Sequence, residues 1–405
     1  MSLTRLRIGF LPLVDAALPI LARELGFAEA EGLDLELVRD MSWATVNDRL
    51  IYANTDAAHL LAPLAIATTL GIGRPPVSLS VPFVLGLNGN AITLQPDLAS
   101  QVCAGGSPGD VTTAGQNLAC EVKNAKASGQ ILRFGVVHRH SSHNYMLRYW
   151  LRGSGIDPNN DVEIVTVAPP FAADALASGE IDGICVGEPW NSVAVDRGVG
   201  AIVAVTSQIW LRGVEKVLAM QSARMAAMPD ITERLIRALH RAGQAFVDPE
   251  RQDEVADILA LPAYLDGSTH FIKRAISDRI VFRRGEPPIH IPDFMFQHRE
   301  AANFPWVSQA AWLYAQMVIA GHTELNEANY QKAQRVFRPD VYRTALSLLG
   351  VPLPGASSKL EGSIDDPLGV GTTQGRLILG PDRFFDGRTF DPDNLGAALQ
   401  ITPKH

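Results

Sequence analysis

The sequence predicts an α/β protein of two lobes with a small-ligand crevice between them. Three observations predict it. A strand–helix rhythm fills the first 70 residues, the rhythm restarts near residue 132 after a polar interlude, and from Pro229 onward the chain turns helical. Alternating βα units build parallel sheets flanked by helices. Two such blocks followed by a helical return suit a clam-shaped binding protein, with its ligand at strand ends and helix N-termini.

In the first block, Arg5 to Leu11 reads as a buried strand. Asp15 to Leu25 reads as a helix with apolar residues at Ala17, Ile20, Leu21 and Leu25, ended by Gly26. Leu33 to Val38 alternates as a strand should. Trp43 to Ala53 and His59 to Thr69 read as helices. Val81 to Leu94 is apolar and glycine-interrupted, a strand that turns through Asn88-Gly89 into another strand.

Residues 96–130 read as helix plus loop, with Gly105-Gly-Ser-Pro-Gly109 at its start. In the second block Leu132–Val137, Asp161–Val167, Ile181–Val186 and Ala201–Val205 read as strands. His143–Leu151, Pro170–Ser178 and Pro189–Asp196 read as the helices between them. Glu215–Met220 is one more strand. Helices follow from Ile231, Glu254, Phe271, Ser308, Asn329 and Tyr342, and the Gly/Pro/Asp-rich tail beyond Pro352 suits an extended arm strapped over a lobe. This order places lobe 1 over residues 1–94 plus 215–405 and lobe 2 over residues 95–214.

The composition of the 405 residues is globular: 47% hydrophobic and 19% charged. A net charge of −8 lacks the chain-wide basic footprint of a nucleic-acid binder, so no direct nucleic-acid contact is expected. No apolar run of about 20 residues occurs, which predicts no membrane insertion. Met1-Ser-Leu-Thr-Arg-Leu-Arg runs into the first strand without an apolar leader segment, so the expectation is a cytoplasmic protein. Three cysteines are too few for a disulfide framework; Cys103 and Cys120 could pair, but isolated thiols fit better.

The common enzyme motifs are missing. There is no G-x-x-x-x-G-K-[ST], no G-x-G-x-x-G after the first strand and no H-E-x-x-H. Gly105 to Gly109 matches G-x-S-x-G in letters but lacks the strand before and helix after that a nucleophile elbow needs. The residues that remain are donors at strand ends. His138-Arg-His-Ser-Ser-His143 opens a helix that Ser141 or Ser142 can cap; read alone it is first a capped helix with exposed histidines, then an anion site on the free helical N–H groups, and last a metal site, which would lack an adjacent carboxylate or cysteine. Gly187-Glu-Pro-Trp-Asn191 follows a strand and puts Glu188 and Trp190 beside the crevice. Trp43 offers one indole N–H on an apolar plate, and Asn88-Gly89-Asn90 offers amides at a strand end. With Lys216 these donors make an inventory suited to a small oxyanion.

The ordered set Ile8-Gly-Phe-Leu-Pro-Leu-Val-Asp15, Ser42-Trp43-Ala-Thr, Gly86-Leu-Asn-Gly-Asn-Ala-Ile92, Gly187-Glu-Pro-Trp-Asn191, Glu215-Lys216-Val and Phe385-Asp-Gly-Arg-Thr-Phe-Asp-Pro392 resembles the nitrate/bicarbonate-binding proteins of bacterial ABC-type importers, across nearly the whole chain. Within that family it resembles the cytosolic nitrate/nitrite sensors. The resemblance implies a type II periplasmic-binding-protein fold, each lobe a mostly parallel sheet flanked by helices. It implies nitrate contacts from Trp43, Gly89, Asn90, His143 and Lys216, with Glu188 and Trp190 behind them. Asn90 stands where the family has a glutamine, one methylene longer. The bicarbonate branch resembles a metal-assisted site with a carboxylate at the lysine position, so Lys216 implies nitrate or nitrite with neither metal nor cofactor. The sensor branch implies a protein that is not an enzyme and that holds an ANTAR-type antiterminator until nitrate or nitrite releases it. The alternatives are the binding component of a nitrate or bicarbonate importer and, on the same fold, a thiamine-pyrimidine synthase-like enzyme.

On this reading the pocket holds donors only, with one formal positive charge, and Glu188 orients Lys216 or a backbone group.

Overall fold

The computed structural model describes residues 3–399. Met1, Ser2 and the last six residues of the expected lobe 1 lie outside that range. Ten principal strands run in chain order: β1 (Thr4–Phe10), β2 (Leu33–Arg39), β3 (Ala57–Leu61), β4 (Leu79–Asn88), β5 (Asn90–Leu94), β6 (Leu132–Val136), β7 (Val162–Thr166), β8 (Gly183–Gly187), β9 (Ala201–Val205) and β10 (Val214–Gln221). They form two separate sheets. One has the order Met295–Phe296, β4, β10, β3, β1, β2, and the other β7, β6, β8, β5, β9.

The strands joined by helical crossovers pair in parallel: β1 with β2 and β3, and β6 with β7 and β8. The sheets are nevertheless mixed rather than mostly parallel in their pairings. β10 lies antiparallel between β3 and β4, and β5 lies antiparallel between β8 and β9. The reason is connectivity. β5 and β10 are the strands by which the chain arrives from the other lobe, and neither is preceded by a crossover helix that would return it in the parallel sense.

The two passages between the sheets are stitched to each other. Asn88 closes β4, its N–H donates to Gly213 O at 2.9 Å, and its side-chain amide donates to Trp210 O and Leu211 O. Gly89, at φ 85°, turns the chain into β5, and a Cβ there would lie 3.0 Å from Met295 Cγ.

The helices that position the site are α1 (Ala17–Glu24), α2 (Trp43–Ile51), α3 (Ala62–Leu70), α4 (Ser142–Gly153), α5 (Trp190–Asp196), α6 (Pro229–Val247) and α7 (Val307–Ile319). Ser42 caps α2 by accepting the Thr45 N–H, and Ser141 caps α4 by accepting the Asn144 N–H. α6 packs its apolar stripe of Leu235, Ile236, Leu239 and Phe246 against α1 and its neighbours.

Two local expectations change. Asp15 is in a single 3₁₀ turn (Val14–Ala16) before α1, and His59 is in strand β3. Ala57-Ala-His-Leu-Leu61 has the composition of a helix, but its place between β1 and β10 imposes the extended form. α5 begins at Trp190, with Pro189 as its cap and a cis peptide before it.

The C-terminal arm touches both lobes rather than one. Leu211 N–H donates to Arg383 O, Phe385 N–H donates to Ile209 O, and the Tyr149 hydroxyl of α4 donates to Asp386. Phe384 stacks on Trp210 with ring centroids 4.8 Å apart. The three cysteines are free thiols. No helix among the described residues is long and apolar enough to cross a membrane.

Candidate functional site

Lys216 is fully buried on β10. Irregular register on either side of it interrupts strict alternation, and both Glu215 and Lys216 face the space between the lobes. The Lys216 ammonium lies 2.7 Å from Asp15 Oδ2 and 2.5 Å from Glu215 Oε1. Asp15 comes from the turn after β1, and His59 of β3 stands behind it with Nε2 2.9 Å from Asp15 Oδ1. A carboxylate only accepts, so His59 Nε2 carries the proton. The Trp43 ring closes this side, its centroid 5.3 Å from the His59 ring and 5.3 Å from Lys216 Nζ.

The other lobe supplies His143 and Asn90. His143 opens α4, fully buried, with Nδ1 3.3 Å from Glu215 Oε1 and poorly aligned to it. Asn90 opens β5. A Cβ placed on Gly187 would lie 3.2 Å from Asn90 Oδ1 and 3.5 Å from Asp15 Oδ2, so both residues border the space above that glycine.

The electrostatics follow from burial and pairing. Burial alone would lower the Lys216 pKa, but Asp15 and Glu215 outweigh it and raise it. Burial works to raise Asp15, yet the Lys216 charge and the His59 hydrogen bond hold it well below the usual carboxylate range. Burial lowers His143 to about 4, with Glu215 pulling upward and Lys216 downward, so the ring is neutral near pH 7. Burial likewise lowers His59.

Five buried polar atoms of this cluster have no partner among the described residues beyond those contacts: Trp43 Nε1, both side-chain polar atoms of Asn90, His143 Nε2 and His59 Nδ1. Buried polar groups are normally paired, because an unpaired one costs about 1–3 kcal/mol. Orphans gathered around one ammonium, drawn from both lobes, fit a small polar ligand.

The structure therefore brings Trp43, Asn90, His143 and Lys216 to one place. It treats the other expected residues differently. The Gly89 N–H already donates to Phe294 O at 2.7 Å, so this glycine serves the turn. Glu188 does not reach Lys216; its Oε2 accepts the Ser192 N–H at 3.3 Å, and burial raises its pKa to about 7. Trp190 keeps an unpartnered indole N–H on α5. His140 turns to Tyr145 and His322, its Nδ1 3.1 Å from the Tyr145 hydroxyl, and His138 packs on His140 with its Nδ1 accepting the His140 N–H. The pocket also holds two carboxylates where donors alone were expected. A lysine buried without a counter-charge is very costly, and Asp15 and Glu215 supply it.

Sequence reasoning missed Asp15, His59 and Glu215. Asp15 was within reach, since the turn after the first parallel strand is where ligand groups gather in such sheets. No group of three or more His, Cys, Asp or Glu residues able to hold a metal is found among the described residues.

Two helix-flanked sheets joined by two stitched passages, with buried donors between them, define a two-lobed small-ligand-binding protein. The chain belongs to the NMT1-like family, which matches residues 2–260. It is 33% identical over 90% of its length to the nitrate import ATP-binding protein NrtC of Synechocystis sp., of which it covers 54%. It spans about half the length of the ATP-binding relatives it matches, bicarbonate transport proteins among them. It is 29% identical over 97% of its length to the nitrate/nitrite binding protein NrtA of Synechococcus elongatus, of which it covers 84%. The crystal structure of the periplasmic nitrate-binding protein NrtA from Synechocystis superposes with a TM-score of 0.84 at 25% identity, covering 98% of both chains.

Proposed function

We propose that this chain binds nitrate or nitrite between its lobes and delivers it, without chemical change, as the binding component of an importer. The observation that carries the reading is the set of buried unpartnered groups from Trp43, Asn90 and His143 around Lys216. Nitrate is a flat monoanion with three weak acceptor oxygens and no proton to give, so it calls for N–H donors rather than acceptors. The names and near full-length likeness of NrtA support the choice of anion.

The sequence by itself points first to a cytosolic sensor that releases an ANTAR-type antiterminator. The relatives speak of import and binding, and the structural neighbour is periplasmic, so the importer reading has the better support. An enzymatic role on this fold has no support among them.

Calorimetric titration of the purified protein with nitrate, nitrite and bicarbonate tests the reading. Micromolar nitrate binding that is lost in Lys216→Ala is expected; a protein that gives no heat with nitrate or nitrite refutes it. Stimulation of the cognate permease in proteoliposomes, set against nitrate-dependent release of a captured antiterminator, separates importer from sensor.

A further inference from the structure

The pocket has the wrong sign for a simple anion trap. One ammonium, Lys216, already pairs with two carboxylates, Asp15 at 2.7 Å and Glu215 at 2.5 Å. A monoanion placed among these groups adds a further negative charge in a site closed to water, where uncompensated charge is most expensive. The cluster also lacks a proton in a specific place. His143 lies against Glu215 through Nδ1, and its Nε2 is buried without a partner. A neutral imidazole has one N–H. It can serve Glu215 or a bound anion, but not both.

Resting on the nitrate reading above, we propose that the anion enters together with one proton, and that His143 carries it, donating through Nδ1 to Glu215 and through Nε2 to the ligand. The proton is drawn from solvent, no bond of the anion changes, and the pocket charge stays the same before and after binding. The groups that face His143 are Glu215 and Lys216 on β10 and Asp15 on the turn after β1. His59 on β3 faces Asp15 from behind, and Cys185 on β8 is buried near Glu215 and Lys216. His59 has the same form, with Nε2–H on Asp15 and Nδ1 unpartnered, so uptake that survives in His143→Gln would assign the proton to His59 instead. In the free protein burial keeps His143 neutral near pH 7; an anion on its far side adds to the pull of Glu215 and favours the charged ring. Ligand and proton are then linked, each raising the affinity for the other.

The test is titration of the intact protein with sodium nitrate near pH 7 in buffers of widely different ionisation enthalpy, such as PIPES and Tris. The expected result is a heat that varies with the buffer by close to one proton taken up per nitrate. Affinity should weaken as pH rises, by up to about tenfold per unit between the free and bound midpoints of His143. His143→Gln keeps amide N–H donors but cannot take up a proton, and should bind more weakly with no uptake. Glu215→Gln removes the second carboxylate and should bind with reduced uptake. Nitrate binding whose heat is the same in every buffer overturns the proposal while leaving the nitrate reading intact. Full uptake in a folded His143→Gln protein overturns the assignment to His143. Absence of nitrate heat in all buffers is the distinct result that removes the nitrate reading and this proposal with it.

Discussion

Two lysines in this molecule keep nearly the same company. Lys216 is held by Asp15 and Glu215 and lies over the Trp43 ring at 5.3 Å; Lys359 is held by Glu361 and Asp382 and lies over the Trp306 ring at 5.9 Å. Around Lys359 the network closes. Glu361 Oε1 accepts the Ser308 hydroxyl at 2.6 Å, the same hydroxyl accepts the Lys359 N–H, and Asp382 Oδ1 accepts the Ile364 N–H at 2.8 Å. Around Lys216 it stays open, with the indole of Trp43, the amide of Asn90 and the imidazole of His143 unpartnered. The buried ion cluster is common to both and says nothing by itself about function. On the proposed nitrate reading, the incomplete shell separates a ligand site from a clasp, here the clasp that fixes the C-terminal arm to α7.

The largest expected effect is removal of either ammonium. Lys216→Met and Lys359→Met each strand two carboxylates, at a cost of about 3–5 kcal/mol for a fully buried pair. The partly exposed Lys359 should fall at or below the lower end, as read from urea midpoints. The two should then part company. Lys359→Met, where folded, should keep nitrate affinity within about twofold, whereas Lys216→Met should lose binding. Lys216→Arg keeps the charge and isolates the effect of geometry on affinity. Equal loss of nitrate binding in both methionine variants would break the distinction.

Trp43→Phe and Ser308→Ala come next, and they should part in affinity. Trp43→Phe deletes a donor that has no partner in the free protein, so its stability cost is the lost volume of a buried ring, about 1–2 kcal/mol, while nitrate affinity falls roughly five- to tenfold, the worth of about one hydrogen bond. Ser308→Ala strips Glu361 Oε1 and the Lys359 N–H of their partner, so it should cost about 1–3 kcal/mol of stability and leave affinity untouched. Thermal melts and calorimetry on the same preparations decide it.

How much of this was legible beforehand follows from what each residue answers to. The βα rhythm, the turn at Gly89, the capped starts of α2 and α4 and the arm beyond Pro352 are local signals, and the sequence carries them. Trp43, Asn90, His143 and Lys216 were reachable because donors at strand ends and helix N-termini suggest a crevice. Glu215 was not, since strict alternation would place it on the opposite face from Lys216, and only the irregular pairing of β10 brings both inward. His59 was hidden by helix-like composition in a strand fixed by its neighbours. The reversed strands β5 and β10 are a property of which lobe the chain arrives from, and no short window of sequence records it.

The smallest effect is in the pH dependence of stability, and only its nitrate-sensitive part bears on the open cluster. Seven histidines of the fold have lowered pKa values, chiefly through burial: His59, His138, His140, His143, His240, His298 and His322. The folded His143 holds its proton only below about 4, while the unfolded ring takes one below 6.5. Between those values the unfolded state binds more protons, so stability should fall as pH drops from 6.5 toward 4 and be flat above. Glu188 runs the other way. Its carboxyl is raised to about 7, so the folded state binds the extra proton, and that contribution is lost as pH rises from 4.5 through 7. Glu188→Gln should therefore flatten the limb near neutrality. Saturating nitrate should shrink the acid limb by the share of His143, one histidine in seven, because the complex already holds that proton. In His143→Gln the same nitrate addition should leave the slope of the acid limb unchanged. No histidine is among the groups that set the charge of Lys359, so that cluster should add nothing to the nitrate-sensitive part. Melting temperatures across pH 4–8, with and without nitrate, measure all of this, and a slope indifferent to nitrate would leave the open and closed lysine clusters distinguishable by affinity alone.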